Sequence, residues 1–352
     1  MNVHQVLSGA GPYDAVTTQA LAFRDRFRVW GWGGRDVAAE IDPRIGDRIA
    51  PLRSLTAAGI GASDVLLVHY SAYAPKLRGV LEMPQRKLLI SHNITPARWF
   101  WDHDPQAGVV CALGRKQLPQ FAAAVDVAAG VSLYNAQEFG SDVVIPILFD
   151  PAGLGVPRRP PADPATWTAP DAPTILFVGR LAPHKRQDAV IRAFELYRRR
   201  HAPAARLVLV GAPINWPYDA AMRVLAEEIS PGRVTIESGL TNEQLAERWR
   251  WADAFLCLSE HEGFCIPLLE AFHFGVPVIA RAIGGVPEVA GDAALLLGDD
   301  DDESVAAEAL ALAVGDGELR ATLRERGAAR IDAYAPDRTA AKLRAVLESL
   351  AA

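Results

Sequence analysis

Two glutamates hold the chemistry most visible in this chain. Glu262 and Glu270 stand in the run Ser259-Glu260-His261-Glu262-Gly263-Phe264-Cys265-Ile266-Pro267-Leu268-Leu269-Glu270, with seven residues between them. The segment Ala254 to Leu258 ahead of them is apolar and strand-like, and Leu268 to Phe274 reads as a helix. A strand-to-helix turn presents backbone N–H groups and the positive end of a helix dipole, which is where an anion binds. Taken alone, the two carboxylates also fit a solvated helix near a turn.

A second segment shifts that balance. Thr174-Ile175-Leu176-Phe177-Val178-Gly179-Arg180-Leu181-Ala182-Pro183-His184-Lys185-Arg186 is another apolar strand with a glycine turn, followed by cations and the amphipathic stretch Gln187 to Arg199. Gly179 permits close backbone approach to a ligand. Arg180 offers a planar fork for phosphate oxygens and Lys185 a point charge on a flexible stem. Cations beside carboxylates suit a ligand with both phosphates and sugar hydroxyls, as a nucleotide sugar has.

Gly179-Arg180-Leu181 with Lys185, then Glu262 and Glu270, resembles the retaining glycosyltransferases of family 4. The likeness continues through Gly275-Val276-Pro277-Val278-Ile279-Ala280 and Gly284-Gly285-Val286-Pro287-Glu288-Val289. It is strong over 174–330 and looser over the first 150 residues. One departure is Cys265, where the family often has glycine. The resemblance implies the α/β fold called GT-B, two doubly wound Rossmann-like domains facing a central cleft. It implies that Glu262 holds hydroxyls of the transferred sugar and Glu270 those of the nucleotide ribose. Arg180, Lys185 and the backbone of Gly263, Phe264, Cys265 and Ile266 would surround the diphosphate, and the turn to Leu240 would meet the base. Reaction on one face of the sugar, with retention, needs no general base, and the protein supplies positioning and electrostatics.

In the first half, His92 ends the buried-type strand in Leu88-Leu89-Ile90-Ser91-His92-Asn93, and resembles the family histidine that reaches the donor sugar. A capping histidine is the alternative. His69 ends a further strand and is a second candidate for lining the cleft. Gly11, in Ser8-Gly9-Ala10-Gly11-Pro12-Tyr13-Asp14, permits approach to the donor phosphate, while Asp14 either meets the acceptor or caps the next helix. Only the first two glycines of a dinucleotide fingerprint are there, so a nicotinamide cofactor is disfavoured. Asp102-His103-Asp104 has the spacing of a metal-binding pair. It follows the aromatic Trp99-Phe100-Trp101 rather than closing an apolar strand, so no metal and no other cofactor is expected. Trp99 and Trp101 suit sugar stacking, a membrane interface or plain packing.

The elements that must position these groups alternate. Strands are expected at Val3 to Leu7, Arg28 to Trp32, Val65 to Val68, Lys87 to Ser91, Val127 to Val131 and Val143 to Ile147. In the second half they fall at Ile175 to Val178, Leu207 to Val210, Val234 to Glu237, Ala254 to Leu258, Val278 to Ala280 and Ala294 to Leu297. Strands alternating with helical stretches read as parallel α/β sheets. The organisation expected is an acceptor-side domain over 1–156, a Pro-rich linker over 157–173 and a nucleotide-sugar domain over 174–335. A last helix over 336–352 would cross back to the first domain.

At 352 residues and 50% hydrophobic, the chain can bury two domain cores. Its net charge of −6 disfavours a nucleic-acid partner. No apolar run approaches the ~18 residues of a membrane span, and three scattered cysteines fit a reducing cytoplasm. The expected partners are a UDP- or GDP-sugar and a glycan or lipid-linked acceptor, the latter compatible with peripheral attachment at the inner membrane face. A non-catalytic subunit of the same fold and a sugar-nucleotide epimerase are the rival readings. Oligomeric state, sugar, base and linkage stay open.

Overall fold

The structure is a computed structural model that describes residues 1–12, 14–57, 59–157 and 166–351. Two six-stranded sheets, all of whose pairings are parallel, carry the fold. In the first, β1 (Val3–Ala10), β2 (Asp36–Ile41), β3 (Ala50–Pro51), β4 (Val65–Tyr70), β5 (Arg86–Ser91) and β6 (Val127–Gly130) lie in the order β3-β2-β1-β4-β5-β6. In the second, β7 (Thr174–Val178), β8 (Arg206–Val210), β9 (Val234–Glu237), β10 (Ala254–Cys257), β11 (Val278–Arg281) and β12 (Ala294–Leu297) lie in the order β12-β11-β10-β7-β8-β9. Both orders reverse at the middle of the sheet. Helices on both faces explain why β4, Val65-Leu66-Leu67-Val68-His69-Tyr70, is buried at every position.

The chain divides into two compact units. One comprises 1–98, 105–148 and 334–352; the other comprises 99–104 and 149–333. Of the stretch read as a linker, 158–165 lies outside the described residues, and 167–173 has no regular structure. Phe149 is buried and belongs with the second unit, ahead of the expected boundary at 156. The terminal helix Pro336–Ala351 belongs to the first unit, where Leu343 and Leu347 are fully buried. There the Arg344 guanidinium lies 5.4 Å from the ring centre of Trp30.

Two expected strands are corrected. Arg28 to Trp32 is the end of the helix Ala15–Val29 and a turn; the strand comes later, at β2. Val16, Ala20, Phe23 and Phe27, all buried, recur at helical spacing, and Asp14 accepts from Thr17 N at 2.8 Å as the N-cap. Val143 to Ile147 makes a single bridge, Val144 to Gly130, and Pro146 lacks the N–H that a ladder would need.

Candidate active site

In the second sheet the chain passes from β7 outward through β8 and β9, then restarts on the other side of β7 at β10. The loops after β7 and β10 therefore flank the point where strand order reverses, which is where open α/β sheets hold ligands. They are the two segments that contain the cations and the glutamates. They are also bonded to each other: Glu260 N donates to His184 O at 2.8 Å, and Arg186 pairs with Glu260 and with Asp188 at 3.0 Å.

The centre of the site is the pair Lys185 Nζ to Glu262 Oε1, 2.7 Å apart, with side chains 18% and 7% exposed. Burial opposes the Lys185 charge, but the Glu262 carboxylate outweighs it and lifts the ammonium pKa above its usual value. Glu262 is fixed through its backbone as well. Its carbonyl accepts from Gly285 N at 3.0 Å, and a Cβ on Gly284 (φ 57°) would lie 2.1 Å from that oxygen. Only glycine fits there. Arg180 is exposed, while its carbonyl is held by Gln187 Nε2 at 3.0 Å, and Gln187 Oε1 in turn accepts from Tyr218 OH at 3.0 Å. Below this turn a Cβ on Gly211 would come within 2.0 Å of Gly179 O, so β8 and the turn can approach so closely only with glycine.

Glu270 sits on the helix Ile266–Phe274. Its Oε2 is buried with no hydrogen-bond partner among the described residues, and burial raises its pKa to about 7, partly opposed by the nearby Trp249 indole, whose Nε1 does not reach hydrogen-bond geometry. An acceptor kept dry and unpaired is costly unless a ligand supplies the donor. Cys257 and Cys265 lie on the other side of Glu262. The Cys265 thiol donates to Cys257, lowering the pKa of the latter and raising its own.

The match with known families falls on this half. Residues 162–330 match the family described as Glycosyl transferases group 1. A D-inositol 3-phosphate glycosyltransferase of Mycobacteroides abscessus is 33% identical over 170 residues, 46% of this chain and 36% of that protein. A GDP-mannose-dependent alpha-(1-6)-phosphatidylinositol monomannoside mannosyltransferase of Mycobacterium tuberculosis is 30% identical over 247 residues, 65% of this chain and 61% of the relative. The chain thus spans less than two thirds of the length of these relatives. Among solved structures, the sucrose-phosphate synthase of Thermosynechococcus elongatus covers 99% of this chain and 98% of its own at a TM-score of 0.75 and 18% identity. Anabaena HepE with UDP and glucose covers 99% of each chain at a TM-score of 0.73 and 14% identity. These likenesses and the two sheets make the fold GT-B.

Within the matched region, Gly179, Arg180, Lys185, Glu262, Gly263, Phe264, Cys265, Ile266 and Glu270 all fall on or beside the two switch-point loops and the helix after the second. Leu240 is partly exposed in the turn after β9, next to Gly239 (φ 70°). The segment Trp99–Asp104 packs with this domain: Phe100 is buried edge-on to His184, ring centres 5.8 Å apart, and His103 O accepts from Asn215 Nδ2 at 2.7 Å. Trp101 and Asp102 are exposed, and among the described residues neither Asp102 nor Asp104 joins a three-ligand cluster. The group 1 pattern in sequence gave no hint of His184, whose buried Nδ1 has no hydrogen-bond partner among the described residues and whose pKa burial drives down to about 2.

In the first unit, His92 is the visible end of a buried chain. Gln5 Nε2 donates to Ala20 O and to Asp36 Oδ1, each at 2.7 Å, so its Oε1 is what faces His69 Nε2 at 3.0 Å. That nitrogen must hold the proton. Burial keeps His69 neutral, which leaves its Nδ1 bare to accept from His92 Nε2 at 2.9 Å. Burial also pushes the His92 pKa to about 3. His92 is therefore neutral, with Nδ1 as an acceptor. His69 is fully buried, which removes it as a lining residue and makes it the group that sets the His92 tautomer. Arg24, bidentate to Asp36, anchors the far end. Gly11 N donates to Thr17 Oγ1 at 3.1 Å, so that N–H is already engaged, and Asp14 takes the capping role.

Proposed function

We propose that the protein is a retaining glycosyltransferase that moves a hexose from a UDP- or GDP-sugar to a glycan, glycolipid or other hydroxyl acceptor, without a metal ion. The observation that carries this reading is the Lys185–Glu262 pair at the strand-order reversal, with Glu270 on the next helix, whose buried Oε2 has no hydrogen-bond partner among the described residues. The relatives named as GDP-mannose-dependent mannosyltransferases make GDP-mannose the first donor to try.

In this reading Arg180 and Lys185 neutralise the diphosphate as the bond from the anomeric carbon to phosphate oxygen breaks. The acceptor oxygen bonds to the same face of that carbon, and its proton passes to the departing phosphate. Glu262 accepts from hydroxyls of the sugar and Glu270 from those of the ribose. His92, an acceptor at Nδ1, suits a hydroxyl and not a phosphate oxygen. Each preorganised donor at developing charge contributes roughly 3–4 kcal/mol.

The test is transfer of hexose from GDP-mannose, UDP-glucose and their analogues after exhaustive chelation, with the product anomer read by NMR. Turnover with retained configuration is expected. Absolute dependence on Mg²⁺ or Mn²⁺, an inverted product, or donor conversion without an acceptor defeats the reading.

A further inference from the structure

Glu262 has two neighbouring thiols that hexosyl transfer does not use. Cys257 ends β10 and Cys265 starts the next helix; both are buried, and both are reduced. The two sulfurs and a Glu262 carboxylate oxygen all lie within 4.8 Å of one another. Cys257 Sγ is 3.9 Å from Glu262 Oε1 and 3.3 Å from Ser259 Oγ. A tetrahedral zinc with Zn–S of about 2.3 Å needs its sulfurs roughly 3.8 Å apart. The three donors are within about an ångström of that arrangement.

We propose that Cys257, Cys265 and Glu262 bind a thiophilic divalent cation of the zinc class. Charge favours it: two thiolates and a carboxylate are balanced by the cation together with Lys185, 2.7 Å from Glu262. Binding releases two thiol protons to solvent and forms two metal–sulfur bonds and one metal–oxygen bond, with a water in the fourth position. Thiolate donors select zinc, cadmium or cobalt over magnesium, which keeps to oxygen ligands. A cation held here takes the carboxylate assigned to the donor sugar, so it competes with the donor; this last step rests on the transferase reading.

The probe is Co²⁺ titrated into the reduced full chain. One equivalent should produce the thiolate-to-cobalt charge-transfer absorption and Zn²⁺ should bleach it. The absorption should vanish in Cys257→Ser and in Cys265→Ser and persist in Cys111→Ser. Its absence from the wild type, or its survival in both of the first two variants, overturns the site. Should those variants fail to fold, wild-type alkylation mapped by mass spectrometry decides: Zn²⁺ should slow modification of Cys257 and Cys265 by about tenfold, leaving Cys111 unchanged. Equal rates at all three thiols with and without Zn²⁺ refute it. In the transfer assay Zn²⁺ should raise the donor KM while Mg²⁺ does not; inhibition at constant KM overturns the competition. A chain that binds cobalt as described yet transfers no hexose leaves the cation site standing and fails the transferase reading alone.

Discussion

Replacing Glu270 by glutamine should stabilise the ligand-free protein, increasingly as pH rises. The folded carboxyl has its pKa near 7 against 4.5 for the ordinary group, because burial disfavours the charged form. The sign follows directly. Below pH 4.5 the group is protonated in both states and contributes no difference. Between 4.5 and 7 the unfolded chain ionises while the folded one cannot, so stability falls as pH rises through the folded value. With those two values, linkage gives a deficit of roughly 0.8 kcal/mol at pH 5, 2 at pH 6 and 3 at pH 7, flattening beyond. Glutamine has no proton to lose and escapes the whole series.

The assay is urea unfolding of wild type and Glu270→Gln at several pH values, read as the difference between the two. A gap that opens by about 2 kcal/mol between pH 5 and pH 7 is expected. Donor binding should act in the opposite sense, since ribose hydroxyls donate to the ionised form. Calorimetry near pH 7 in buffers of different ionisation enthalpy should therefore show proton release on nucleotide binding, absent in the variant. Stability curves that run parallel for the two proteins would refute the reasoning, because the carboxyl would then be solvated and normal.

Three other outcomes are specific. Lys185→Ala or Glu262→Ala should each lower turnover by roughly two to three orders of magnitude; near wild-type kcat in either would remove the pair from the reaction. Gly284→Ala, whose Cβ would meet Glu262 O at 2.1 Å with φ at 57°, should destabilise the fold by about 2 kcal/mol or more and weaken donor binding, read by unfolding and by nucleotide titration. The His92 ring should hold its proton on Nε2 and stay neutral from pH 5 to 8, as read from its ¹⁵N shifts; a titration within that window would mean the His69 contact does not hold.

The second half of the fold was legible because its strands are short apolar runs bounded by glycine turns, and all six fall where that pattern put them. The first half obscured β2. Asp36 opens that strand inward, and its charge breaks the apolar signature; it is tolerated because Arg24 meets it at 2.7 Å with both side chains 6% exposed. A buried ion pair of this kind lies outside any periodicity argument, since its two members are spaced by tertiary packing. The same holds for Gln5 and His69, which look in sequence like stray polar residues on apolar strands. Lys185, Glu262 and Glu270 were legible because their spacing follows chain geometry: each sits on a loop or helix next to a central strand. Which of them is unpaired was not, because that depends on what surrounds Glu270 in space.

Backbone conformation gives an independent reason to place the ligand at the switch point. Among the described residues only Asn93, Arg186 and Cys265 are non-glycines with positive φ, at 77°, 51° and 69°. The first follows His92, the second follows Lys185, and the third starts the helix between Glu262 and Glu270. Such a conformation costs about 1–2 kcal/mol per residue and persists only where packing over-determines it. Arg186 and Cys265 are also the N-caps of Gln187–Arg200 and Ile266–Phe274, and neither helix start has a side-chain cap. Elsewhere in the same unit Asn215, Thr241 and Asp302 cap their helices in the ordinary way, through a side-chain oxygen on the first-turn N–H groups. These two starts lie beside β7 and β10, where strand order reverses; the short helix Val286–Ala290, after β11, also starts without a side-chain cap, at Gly285. A cap oxygen beside β7 or β10 would repel a phosphate; in Ile266–Phe274 it would also find no donor in the second and third positions, since Pro267 has no N–H and Leu268 N already donates to Cys265 O at 3.1 Å. Leaving it out, at a cost in backbone strain, is the arrangement expected if the missing acceptor arrives with the substrate.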